Sequence, residues 1–340
     1  MLKLEPYELG MRSTFLTSAI SVRERRGTLV RLAEQDRVGW GDVCPMPGWS
    51  QHSLEELSGE LRLAADRLRV DLVPDVLDTL DAFPEARAGL AGAVADLFAQ
   101  QAGVALCRHL NPDASLSVPV HSTVTEPIAA NIWGPALAAV MEGITTLKIK
   151  VGGRDLSQDI DRVAAVREAV GPAIAIRLDA NGGWDSRTAH RALDALATFD
   201  IEFCEEPVSG IEEIARVAAR SPIPLAVDES ARSLDGVQAA LDHETIKVFV
   251  IKPQAIGGPD LAMRACRLIE AADATPVITS MVDSAVGVAQ AAHVAAAAAT
   301  TVAHGLATSS MIFRDVASPL KVENGRIEIP DIPGLGVSPG

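Results

Sequence analysis

Five charged residues, Lys150, Asp179, Glu205, Asp228 and Lys252, each close a short apolar run, and successive members stand 23 to 29 residues apart. That interval holds one strand and one helix. The charges therefore repeat with the period of a β–α unit, and parallel strands would bring them to one end of a barrel. Three carboxylates gathered there can hold one hard divalent cation, and a lysine on each side can move or steady a proton beside it. In Leu147-Lys148-Ile149-Lys150-Val151 the two lysines are two apart, which on a strand puts both on one face. An isolated K-x-K reads most simply as surface charge. The carboxylates at the next three strand ends argue otherwise, because burying them is costly unless they are paired or bind metal.

The elements that must position these residues follow from patterning. Strands are expected near 118–124, 145–151, 174–180, 201–206, 224–229, 247–252, 275–280 and 302–307, several almost continuously apolar as strands buried on both faces are. Eight strands with intervening helices make a barrel the economical solution. Before them, alternation at Tyr7 to Arg12, Gly27 to Ala33 and Val38 to Val43 predicts β hairpins, which a proline-bearing loop from Cys44 to Ser50 ends. Ser53 and Glu56 have capping-box spacing and open a run of helices near 55–68, 75–81 and 87–103. The expected organisation is an α+β unit over 1–112, a barrel over 113–312, and a tail over 313–340 that crosses back to the first unit.

Composition narrows the partners. At 340 residues and 48% hydrophobic content the chain can fill one large barrel and a smaller unit. A net charge of −15 speaks against nucleic acid or an anionic membrane surface. The alanine-rich stretch Ala289 to Ala299 is interrupted by Gln290 and His293, too short for a bilayer span, and is expected to be a barrel helix. The start, MLKLEPYELG, lacks the apolar core of a secretory signal. Cys44, Cys107, Cys204 and Cys266 are scattered and expected as buried free thiols, consistent with a cytoplasmic location. Composition leaves monomer and homo-oligomer both open.

Taken in order, K-x-K, D-A-N-x-x-W (Asp179 to Trp184), E-E-P (Glu205 to Pro207), D-E-S (Asp228 to Ser230) and K-P-x-x-x-G-G (Lys252 to Gly258) resemble the enolase superfamily, in its muconate-lactonizing subgroup. The segment Gly39 to Gln51 is similar to the G-W-G-E-x-x-P-L-P-G segment of o-succinylbenzoate synthases, with Asp42 for glutamate, Met46 for leucine and His52 where an acid is frequent. The resemblance implies an α/β fold, a modified (β/α)7β TIM-type barrel with an N-terminal α+β capping domain. It implies Asp179, Glu205 and Asp228 as ligands of Mg²⁺, for which Mn²⁺ can substitute, and a small-molecule carboxylate as substrate. Lys150 matches the base that removes the proton α to the carboxylate, the enediolate so formed being stabilised by the metal. Lys148 would add positive charge beside it, and Lys252 would act on the far side. The implied reaction is dehydration of the cyclohexadiene carboxylate SHCHC to o-succinylbenzoate in menaquinone biosynthesis. N-succinylamino acid racemase, dipeptide epimerase or cycloisomerase are the alternatives on the same scaffold.

Ser280, Ser284, Gly287 and Gly305 fall where relatives bind the rest of the substrate, with a plain βα turn the simpler reading for the first three. Arg12, with Ser13, Thr14 and Phe15, would form a capping loop over the site. Asn181 suits either a second layer of contacts or an Asx turn. Glu206 and Glu229 follow ligand positions and should face away into structural salt bridges, and His121 and His304 are expected to pack within strands one and eight. The segment Gly305 to Ser310 lacks the D-x-D with which dipeptide epimerases hold a substrate ammonium.

Overall fold

The computed structural model describes residues 1–16, 21–68 and 72–340. Its N-terminal part is an antiparallel sheet in the order β1 (Leu2–Leu16), β2 (Ser21–Glu34), β3 (Arg37–Val43), followed by α1 (Leu54–Arg67), α2 (Val73–Asp78), α3 (Pro84–Ala102) and α4 (Leu106–Leu110). β1 and β2 outrun the apolar alternation because backbone pairing continues through exposed polar residues, from Leu2↔Leu32 to Gly10↔Glu24. The capping box opens α1 as expected. The Ser53 N–H donates to Glu56 Oε2 at 2.8 Å, and the Glu56 N–H donates to Ser53 Oγ at 3.2 Å.

Glycines let the sheet lie directly on α3. A Cβ on Gly41 would stand 1.8 Å from the Gly89 carbonyl oxygen, and one on Gly39 would stand 2.0 Å from that of Ala93. Close backbone approach, rather than a turn, is what the G-W-G sequence provides.

The barrel follows: β4 (Ser117–Pro119), β5 (Ser122–Val124), α5 (Trp133–Met141), β6 (Thr146–Lys150), α6 (Leu156–Val170), β7 (Ala175–Asp179), α7 (Ser186–Leu196), β8 (Ile201–Glu205), α8 (Ile211–Ala218), β9 (Leu225–Val227), α9 (Leu234–Leu241), β10 (Val248–Ile251), α10 (Pro253–Ile256), α11 (Pro259–Ala271), β11 (Thr275–Ile278) and α12 (Ala285–Ala298). β5 to β11 form one parallel sheet in sequence order. With the N-terminal unit this is a modified TIM-type barrel carrying an α+β capping domain. Two expected strands come out differently. The first is split, because β4 pairs antiparallel with the tail while β5 joins the barrel. The eighth, expected over 302–307, is reduced to two bridges, Val120↔His304 and Thr279↔Gly305, since the chain enters a 3-10 turn at Ala307–Met311.

The tail forms β12 (Val322–Glu323) and β13 (Arg326–Glu328), which pair against β4, before its end reaches the capping helices. There the Leu335 N–H donates to Asp96 Oδ1 at 2.7 Å and the Leu106 N–H donates to the Gly334 carbonyl at 2.8 Å. Every residue of α12 is buried, which explains its alanine content. Gln290 Nε2 donates to the Trp40 carbonyl at 2.9 Å, and His293 Nδ1 accepts from the Cys107 N–H at the same distance. The interrupting polar residues thus join the helix to the capping side. All four cysteines are free and buried, and no described helix is long and apolar enough to cross a membrane.

A buried polar cluster locks capping domain to barrel. Asp42 Oδ1 accepts from the Tyr7 hydroxyl at 2.7 Å, and Oδ2 accepts from Ser284 Oγ at 2.8 Å and from its N–H at 3.1 Å. Arg25 donates to the carbonyls of Val282, Pro45 and Cys44 at 3.1, 2.9 and 2.7 Å. Burial pushes the Asp42 carboxyl up to about 6, and burial with the neighbouring Asp42 charge pushes Asp283 up to about 7.

Replacing Gly41 with alanine should lower stability by about 1–3 kcal/mol through overpacking against α3, read as the shift in urea unfolding. The two aspartates add a pH dependence. Because both folded values lie above the unfolded one, their stabilising contribution is complete below about pH 4 and is lost as pH rises through about 6 to 7. Asp283→Asn should therefore flatten the fall in melting temperature between about pH 5 and about pH 8; equal falls in wild type and variant would contradict it.

Candidate active site

Strand register builds the site. Lys150 lies opposite Asp179, Asp179 opposite Glu205, and Glu205 opposite Ala226. Lys150, Asp179 and Glu205 thus form one level across three adjacent parallel strands, and Asp228 stands two residues beyond Ala226. One oxygen from each of Asp179, Glu205 and Asp228 lies within 4.8 Å of the others, and all three residues are buried.

Lysines surround the carboxylates. Lys148 Nζ is 3.0 Å from both Asp179 Oδ2 and Glu205 Oε2. Lys150 Nζ donates to Asp179 Oδ2 at 2.6 Å and to Asn181 Oδ1 at 2.9 Å. From the other side, Lys252 Nζ donates to Asp228 Oδ1. Burial opposes the charge of Asp179, yet Lys150 and Lys148 outweigh it and hold this carboxyl well below the usual range. At Glu205 burial prevails over Lys148, and Asp179 and Asp228 add to it, so its pKa rises to about 7. Burial also works against the charges on Lys148 and Lys252, but the adjacent carboxylates keep both above the ordinary lysine value.

The donor set suits a hard cation. It offers carboxylate oxygens only, and Glu205 Oε1 is buried without a hydrogen-bond partner among the described residues. Such a set fits a divalent ion that prefers oxygen over one that seeks thiolate or imidazole.

Asp179, Asp228 and the three lysines line a cavity of 370 Å³. Met46 and Trp49 of the capping loop line it, as do Ser280, Gly305, Thr308 and Met311. Ser280 Oγ lies 2.7 Å from Thr308 Oγ1. Gly305 permits close packing, since a Cβ there would meet Thr279 Cγ2 at 2.5 Å.

Three expected substrate contacts lie elsewhere. Ser284 is fully buried and its hydroxyl is committed to Asp42. Gly287, within α12, faces the same carboxylate, 2.6 Å from where its Cβ would be. Arg12 belongs to strand β1 rather than to a covering loop. Its Nε donates to the Ile312 carbonyl at 3.1 Å and its guanidinium lies over Phe313, because β1 bridges to the segment after the 3-10 turn. The Phe15 side chain lies outside the described residues.

Among the described residues, neither Glu206 nor Glu229 makes the expected salt bridge. Glu206 adopts a positive φ of 38° and accepts from the Asp228 N–H at 2.8 Å and from the Ser230 hydroxyl; burial pushes its pKa up to about 8. Glu229 turns into the cavity because strand alternation ends at β9 and a 3-10 turn spans Glu229–Ala231; it accepts from Asn181 Nδ2 at 2.8 Å. Asn181 serves both expected purposes, joining Lys150 to Glu229 while its N–H closes a turn on Asp179 Oδ1 at 3.1 Å. His121 lines the cavity with Nδ1 3.1 Å from Arg177 Nη1, and His304 Nδ1 accepts from the Ile278 N–H at 2.9 Å. Burial holds both imidazoles below the usual value.

Sequence reasoning missed Arg232. It lines the cavity, donates from Nη1 to the Trp49 carbonyl at 3.0 Å and stacks over that indole at 4.8 Å. Following D-E-S-A, it reads as an ordinary solvated arginine; only the Glu229–Ala231 turn aims it inward.

Residues 135–340 match the family described as enolase C-terminal domain-like, and the chain belongs to this family. Residues 1–97 match the MenC N-terminal domain. The o-succinylbenzoate synthase of Thermobifida fusca is 37% identical over 218 residues, 62% of this chain and 68% of that protein. A hydrophobic dipeptide epimerase of Enterococcus faecalis is 29% identical over 97% of both chains. The crystal structure of the Enterococcus faecalis V583 dipeptide epimerase with Mg and L-Leu-L-Tyr superposes with a TM-score of 0.93 at 26% identity, covering 99% of this chain and 98% of that one.

Calorimetric titration with Mg²⁺ should give one site, and Asp228→Asn should weaken it by about tenfold or more, since one ligand charge is lost while shape is kept. Unchanged affinity with an unchanged melting profile would remove Asp228 from the ligand set.

Proposed function

We propose that the protein dehydrates SHCHC to o-succinylbenzoate, a step of menaquinone biosynthesis. The observation that carries this reading is the make-up of the cavity wall after β11. The segment Gly305 to Ser310 brings Gly305 and Thr308 to the cavity and contains no D-x-D of the kind with which dipeptide epimerases hold an ammonium, which favours a substrate without one. The MenC-type N-terminal match and the similar synthase support it.

Asp179, Glu205 and Asp228 hold Mg²⁺ in this reading. When bound, the ion supplies positive charge at the substrate carboxylate as the second negative charge develops there. Each tenfold in rate needs about 1.4 kcal/mol of such preferential stabilisation. Lys150, in its neutral form, takes the proton α to the carboxylate. Its protonated amine then returns that proton to the β-hydroxyl on the same face, the C–O bond breaks, and water leaves as the ring becomes aromatic. Asn181 orients the Lys150 amine through its 2.9 Å contact. Lys252 remains protonated and steadies the developing anion from the opposite wall, with Trp49 over it excluding water.

A second reading, N-succinylamino acid racemase, draws on the same geometry, because Lys150 and Lys252 approach the carboxylates from opposite sides. The variants separate them. Lys150→Ala should abolish dehydration. Lys252→Arg keeps a positive charge and should retain measurable dehydration, while stopping any racemisation because arginine does not give up its proton. Turnover of SHCHC and α-proton exchange of N-succinyl amino acids, each with Mg²⁺, read both. Undiminished dehydration by Lys150→Ala would remove the proposed base, and rapid racemisation with negligible SHCHC turnover would replace the lyase reading.

A further inference from the structure

The cavity cations are not equivalent. Lys148, Lys150 and Lys252 each meet a carboxylate within 3.0 Å. Arg232 has no carboxylate partner among the described residues. Nη1 is held by the Trp49 carbonyl at 3.0 Å and the guanidinium plane rests against the indole at 4.8 Å. Nε and Nη2 donate to no described group, so one edge of the guanidinium fork remains for a ligand. The same indole faces Lys252 Nζ at 5.5 Å, which places Arg232 on the Lys252 side of the cavity. The small-residue wall expected to receive the far end of the substrate is incomplete, because Ser284 and Gly287 are taken up by Asp42.

We propose that Arg232, braced by Trp49, is the specificity-determining residue for a second carboxylate, so that the cavity selects substrates carrying two carboxylates. One is received at the Asp179, Glu205 and Asp228 centre, and the other lies on the Lys252 side against the free edge of the guanidinium. A fixed planar fork suits a carboxylate, and the aromatic face limits the rotamer freedom lost on binding. This deepens and rests on the reading of the cavity as a carboxylate site, since SHCHC and N-succinyl amino acids both carry two carboxylates. A dipeptide with apolar side chains carries one carboxylate and an ammonium, which a bare arginine repels.

Calorimetry on the Mg²⁺-loaded protein with two unreactive acids tests the assignment. One is o-succinylbenzoate; the other is 2-butanoylbenzoate, in which a methyl group replaces the distal carboxylate. Wild type should bind the diacid about tenfold or more tightly than the monoacid. Arg232→Met should erase most of that preference while changing monoacid affinity by less than about twofold, and Arg232→Lys should restore part of it. Equal wild-type affinity for both acids overturns the proposal without any variant. Equal weakening of both acids by Arg232→Met also overturns it, since Arg232 would then only anchor Trp49. SHCHC assays alongside keep the readings apart. Absent turnover with an Arg232-dependent diacid preference would sink the dehydratase reading alone, and normal turnover without the preference would sink the arginine assignment alone.

Discussion

The cost of taking three carboxylates out of water governs this molecule. Each ion removed from solvent carries a penalty on the order of several kcal/mol, and breaking one partner from such a group costs about 3–5 kcal/mol. Asp179 is 1% exposed and Glu205 is fully buried, so neither can persist ionised without positive charge within contact distance. Lys148, from the same strand face as Lys150, supplies that charge to both. The strand register, the turn at Asn181 and the left-handed Glu206 all serve this balance. Asp179 meets two lysines at contact distance and is held down, whereas Glu205 meets one and is lifted by burial and by the Asp179 and Asp228 charges.

Closure from above depends on a second set of buried polar groups. Arg25 ties the capping loop to the turn after β11 through three carbonyls, and the Cys44 N–H donates to Gln254 Oε1 at 2.8 Å, two residues past Lys252. Arg87 reaches from α3 to the Gly257 carbonyl at 2.7 Å and to Asp260 at 2.9 Å. These bonds fix the loop that carries Met46 and Trp49, whose indole lies against Lys252.

The barrel and the five charges were legible because two independent periods coincide in them: apolar runs recur at strand-plus-helix spacing, and each run ends on a charge. Lys148 and Lys150 share a face as strand alternation requires. Where alternation stops, the sequence misleads. Glu229 follows a ligand position, but Asp228 has already left strand geometry at ψ −83°, so Glu229 points inward rather than away. Ser284 and Gly287 look like cavity residues from their distance after β11, but Asp42, 242 positions before Ser284, claims that surface. Arg12 lies within β1, where the pairing with β2 is interrupted between Gly10 and Phe15, and its side chain is held by Ile312, 300 positions later. Contacts at such separations leave no local pattern.

The barrel closes through His304 and Gly305 with only two bridges, whereas β6, β7 and β8 are joined by full ladders. The full ladders hold Lys148, Lys150, Asp179 and Glu205 in register. The thin seam leads directly into Thr308 and Met311, which line the cavity. This separation gives the scaffold a division of evolutionary labour: substitutions along the seam can reshape which acid is admitted with little disturbance to the charged row, so new selectivities can arise on an inherited chemistry.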